Sequence, residues 1–169
     1  MARPEPPPGR RTELVSALSV AARRYTAAYA LFNQVLADHF GLHPTDVQCL
    51  NLLSLESGAV TIGRVGELTG LSTGASTRLV DRLERAGYVT RKRDRTDRRR
   101  VLVTTVPERM AAFGQVWDDL TDDWWEMFDD YDEERLGMLL THTRRTIELC
   151  ALQAERLRAG TVGGAVAER

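Results

Sequence analysis

At 169 residues, with 43% apolar and 28% charged side chains, the chain is long enough for one domain or a little more, with a real core and extensive wet helix surface. No uninterrupted apolar run reaches the roughly 18 residues that a membrane-spanning helix needs. The two cysteines, Cys49 and Cys150, lie far apart without CxxC spacing, which points to a reducing cytoplasm and away from a disulfide scaffold or zinc ribbon.

The opening MARPEPPPGRR has no hydrophobic segment and reads as a Pro-rich disordered arm over residues 1–12 rather than a secretory signal. From Leu14 to Phe40 apolar residues recur every three or four positions, which predicts one long amphipathic helix ended by Gly41. Pro44 then opens a second helix through Val47, Leu50, Leu53 and Leu55, lasting to Ser57-Gly58, with His43 in a cap position that Ser or Thr would fill better. Thr61 caps a short third helix (Ile62, Val65, Leu68) closed by Gly70. Ser72 caps a fourth, with Ala75, Leu79, Leu83 and Ala86 as its buried stripe and Gly87 as its stop. Tyr88–Lys92 and Arg100–Val106 are β-rich runs around a polar tip, hence a hairpin. Pro107 opens a fifth helix with Met110, Phe113, Trp117, Leu120, Trp124 and Phe128 on one side. Asp132 caps a sixth, carrying Leu136, Leu139, Leu140, Thr143, Ile147, Cys150, Ala154 and Leu157, and residues 159–169 read as a flexible tail.

Charge is segregated along this chain. Thr61–Pro107 holds eleven of the 23 basic residues and five of the 24 acidic ones, a net +6 inside a protein of net −1. Lys92 is the sole lysine, so the abundance of arginine reflects a coding preference and only its clustering is informative. A basic block coinciding with two short helices and a hairpin is what phosphate neutralisation on duplex DNA requires. On the fourth helix Thr73, Ser76, Thr77, Arg78 and Arg82 lie off the expected buried stripe, where hydroxyls suit phosphates or thymine methyls and Arg78 can reach guanine. In the tip RKRDRTDRRRV, Arg95, Arg98 and Arg99 form a positive point suited to a narrow minor groove. Asp97 stands two residues from Arg99, close enough to hold it in one direction.

The run from Asp118 to Glu134 has ten carboxylates and no base. Its DDLTD resembles a magnesium motif, but no second acidic motif accompanies it, and a solvated outer helix face is the reading preferred. His39, His43 and His142 lack metal-ligand spacing. No Ser-His-Asp set, phosphate loop or HExxH is present, so neither metal, cofactor nor enzymatic activity is expected. Tyr25, Tyr29, Phe113 and Trp117 either line a ligand pocket or are plain core.

GLSTGASTRLVDRLERAGYV followed by DRRRVLVTTVPE resembles the winged-helix regulators of the MarR (multiple antibiotic resistance regulator) family, specifically from about Leu42 to Glu108. The resemblance implies a mainly α fold with a small β-hairpin wing: a winged helix-turn-helix over 41–106, and a helical dimerisation region formed by 13–40 and 107–158. It also implies that Thr77, Arg78 and Arg82 face the major groove and Arg99 the minor groove. A homodimer follows, with Leu18, Leu136, Leu139, Leu140 and Ile147 as expected interface residues, binding a palindromic operator as a repressor released by a small aromatic ligand. Peroxide-sensing members carry a cysteine near the start of the first helix; this sequence has none there. An architectural or activating DNA-binding role without a ligand remains the alternative, as does a helical interaction protein whose basic hairpin docks an acidic partner.

Overall fold

The computed structural model describes residues 9–94, 96, 97 and 100–161. Most of the expected arm and tail lies outside them. The described part of the arm is already helical: α1 runs Arg10–Phe40 and ends at Gly41, whose φ of 64° lets the Leu42 N–H turn back to the Ala37 carbonyl at 2.9 Å. α2 (Pro44–Leu53) begins as expected but stops short of Ser57-Gly58. His43 does cap it. Its imidazole accepts from the Thr45 N–H, and the Asp46 carboxylate accepts from the His43 N–H in return.

β1 (Val60–Thr61), α3 (Ile62–Thr69) and α4 (Thr73–Arg85) follow, then β2 (Val89–Arg93), β3 (Val101–Thr105), α5 (Pro107–Glu126) and α6 (Glu133–Arg158). Thr61, Ser72 and Asp132 each accept from a backbone N–H of the first turn they precede, as the sequence predicts. The hairpin is also found, each strand one residue removed from its expected start. Its partner β1 is not foreseen: the sheet is three-stranded and antiparallel in the order β1-β3-β2, with Val60 opposite Val103 and Arg91 opposite Val103 on the other side. Two residues are too few to show alternation, so β1 leaves no periodic signal.

The chain divides into two compact units, residues 1–114 and 115–169. The first contains the core: Val47, Leu50, Val65, Leu79, Val80, Leu83, Val89 and Val103 are almost completely buried. Each such side chain contributes about 1.5–3 kcal/mol relative to exposure. α1 belongs to this unit and packs on α2, with Leu36 and Ala37 buried. Its outer residues Leu14, Leu18, Tyr25, Leu31 and Val35 stay exposed. In the second unit no described residue is buried, and α6 has no interior side at all.

Candidate nucleic-acid interface

α4 is presented by α3 at very short range. Gly66 of α3 faces Ser76, and the backbone turns through Leu71 into the Ser72 cap. Ser76, expected on the outward face, is fully buried. Its hydroxyl donates to the Ser72 carbonyl at 3.0 Å, which removes the cost of placing a polar group inside. The buried stripe is therefore Ser76, Leu79, Val80 and Leu83, with Ala75 and Ala86 at its margins.

At about 100° per residue, this stripe leaves Gly74, Arg78 and Arg85 on the opposite side of the helix. Arg78 is exposed, and among the described residues it enters no ion pair. Thr73 is exposed and Thr77 half-buried, its hydroxyl donating to the Thr73 carbonyl at 2.9 Å.

Arg82 has a partner inside the chain. It turns back to α2, where Nε and Nη2 donate to the two oxygens of Asp46 at 3.0 and 2.5 Å. Sequence reading missed this because Asp46 lies 36 positions earlier and looks like an ordinary first-turn acid. Arg91 also escaped attention. From β2 it bridges to Asp81 at 2.6 Å and Glu84 at 3.5 Å, and donates to the Thr77 carbonyl at 3.3 Å, tying the wing to α4. Arg64 is held by Glu56 and Glu67 at 2.9 and 3.1 Å. Arg64, Arg82 and Arg91 of the basic block thus have carboxylate partners within the chain.

Lys92 and Arg93 are exposed on β2. At the tip, the Asp94 carboxylate accepts from the Thr96 N–H and hydroxyl, both at 2.8 Å. These bonds, the backbone one first, hold its pKa below the ordinary value, helped by the charge of Arg100. The Asp94 N–H reaches the Arg100 carbonyl and the Arg100 N–H reaches that of Asp97, closing the turn. Arg95, Arg98 and Arg99 lie outside the described residues.

The four candidate ligand residues differ in burial. Tyr25 and Tyr29 are exposed on α1, ring centroids 6.1 Å apart. Phe113, by contrast, is 2% exposed and packs on Phe40 at 5.0 Å and edge-on to Tyr88 at 6.4 Å. Those contacts place Phe113 in the core of the first unit. Trp117 belongs to the second unit and is half-buried.

The MarR family pattern matches residues 40–100, from the end of α1 to the foot of β3. An uncharacterized HTH-type transcriptional regulator of Bacillus subtilis (strain 168), YcgE, is 34% identical over 148 residues, 88% of this chain and 96% of that one. The chain belongs to the MarR family. A second relative, the HTH-type transcriptional regulator MhqR of the same organism, is 27% identical over 126 residues, 75% of this chain and 86% of that one. Among solved structures, a MarR family protein from Bacillus stearothermophilus superposes with a TM-score of 0.64 at 22% identity, covering 85% of this chain and 99% of that one. Membership in the MarR family makes the protein a DNA-binding transcription regulator with a winged helix, and not an enzyme. No helix among its described residues is long and apolar enough to cross a membrane.

Proposed function

We propose that this MarR-family regulator is a homodimeric repressor. In this reading α4 enters a major groove, the β2–β3 wing lies along the flanking minor groove, and the two copies read an inverted repeat. The observation that carries the reading is the outward row of Gly74, Arg78 and Arg85, a basic ridge opposite the buried stripe of the helix. Arg78 reads a base, Thr73 and Thr77 meet phosphate or methyl groups, and the tip arginines Arg95, Arg98 and Arg99 supply the minor-groove charge.

Dimerisation is supported by what a single chain leaves uncovered. Leu18, Leu136, Leu139, Leu140 and Ile147 are between 38% and 66% exposed, and a 26-residue helix with no buried residue needs a neighbour. Removing the chain after Tyr131 is expected to give a monomer by sedimentation and to abolish tight binding to a duplex selected from a random pool. A monomeric truncation that still bound that duplex tightly would overturn the reading. Control by a small aromatic ligand is supported by the exposed Tyr25–Tyr29 pair. Titrating tryptophan fluorescence and duplex affinity against a panel of phenolic acids tests it, and no response in either would leave a regulator without ligand control.

A further inference from the structure

Asp46 is a carboxylate 2% exposed, and everything around it converges on α4. Beside the two-point contact with Arg82, its Oδ2 accepts from the His43 N–H at 3.4 Å. Arg82 Nη2 also donates to Thr45 Oγ1 at 3.4 Å, and that hydroxyl lies 2.9 Å from His43 Nδ1. His43, Thr45, Asp46 and Arg82 therefore form a closed polar ring between the first turn of α2 and the last turn of α4. Taking one partner away from a buried ion pair strands the other charge, so Arg82 is strongly retained.

The ring acts on a defined part of α4. Arg82 follows Arg78 by four residues, one turn further along α4, so holding Arg82 against α2 sets the roll of the helix from which Arg78 projects. On the opposite flank, Thr77, Asp81 and Glu84 form the row held by Arg91. The helix is pinned on both sides of its buried stripe, by α2 and by the wing.

We propose that Asp46 and Arg82 are a positioning pair for DNA reading: together they set the roll of α4, and so which base edges Arg78 meets, while Arg82 itself contacts no DNA. The inference rests on the major-groove assignment of α4 made above.

The test uses the full-length protein, a duplex it selects from a random pool, and a scrambled duplex of equal composition. Asp46→Asn, Arg82→Lys and the double variant are compared by affinity for both duplexes and by the salt dependence of each. The preference for the selected duplex is expected to fall about tenfold in either single variant, the size of one misread base pair. The double variant is expected to be no worse than either single one, while affinity for the scrambled duplex and the salt slope stay unchanged. A purely structural role would lower the folded fraction and weaken both duplexes equally, leaving the preference intact; that result overturns the proposal, with circular dichroism giving the folded fraction. It is also overturned if Arg82→Gln reduces the salt slope by about one unit while Asp46→Asn tightens binding, since Arg82 would then be a phosphate contact. An unaltered protein that selects no sequence at all would instead remove the major-groove assignment, and the positioning role with it.

Discussion

The Cβ that Gly66 lacks would stand 2.9 Å from the Ser76 hydroxyl and 3.1 Å from the Leu71 carbonyl oxygen, so α3 and α4 meet where no side chain fits. Ser76 cannot swing aside without giving up its bond to Ser72. Gly66→Ala is expected to destabilise the protein by about 1–3 kcal/mol despite alanine's better helix propensity. Urea denaturation measures this; an alanine variant as stable as the parent would mean that the two helices can separate freely.

Gly74 makes the opposite case. A Cβ there meets nothing within 4 Å, so glycine is not required by the fold. Gly74→Ala is expected to raise stability by about 0.5–1 kcal/mol. If α4 lies in a groove, the same change weakens binding to the selected duplex, because the added methyl stands on the approaching face. Higher stability with undiminished affinity would place Gly74 away from DNA.

Arg78 and the β2 cations are expected to separate reading from holding. Arg78→Ala costs about 1–3 kcal/mol on the selected duplex and relaxes preference at one base pair. Lys92→Ala or Arg93→Ala weakens selected and scrambled duplexes alike and lowers the salt slope by up to about one unit for each phosphate no longer neutralised. Fluorescence anisotropy at several salt concentrations distinguishes them, and an Arg78 variant that weakened both duplexes equally would reduce Arg78 to a diffuse charge.

The thiols are expected to differ sharply. Cys49 is fully buried, and burial first, then the nearby charge of Asp46, pushes its pKa up to about 12. The nucleophilic thiolate is therefore scarce as well as shielded. Cys150 on α6 is exposed. At about pH 8 iodoacetamide is expected to leave the Cys49 peptide untouched until the protein is unfolded, and to label the Cys150 peptide only where no second copy covers that face of α6. Labelling of Cys49 in the native protein at the rate of a free thiol would show that α2 opens readily.

Acid is expected to loosen the wing tip. The lowered pKa of Asp94 means that its bonds to Thr96 contribute fully above its ordinary value of 3.8 and are lost as pH falls through the lower folded value. The Thr96 amide resonance, followed by NMR, is expected to shift with a midpoint below 3.8, and Asp94→Asn to abolish that shift. A midpoint at or above 3.8 would mean that the turn does not form in solution.

The helices were legible in the sequence because their caps and stops are local chemistry: Thr61, Ser72, Asp132, Gly41, Gly70 and Gly87 act within a few residues of where they stand. What escaped was decided over distance. Ser76 reads as polar, yet a carbonyl one turn earlier satisfies it inside. The carboxylate partners of Arg82 and Arg91 lie on other elements, so neither ion pair is visible in the sequence. Phe113 fits the periodicity of a pocket wall and of a core equally well, and its packing on Phe40 and Tyr88 is invisible in the sequence.

An α6 without an interior makes abundance a thermodynamic variable. If a second copy supplies the missing cover, the folded fraction of the second unit follows mass action, and the melting midpoint rises with protein concentration. Dilution would then act as a denaturant. A cell that lowers the number of copies would weaken operator occupancy twice, through fewer molecules and through a smaller share of them being complete.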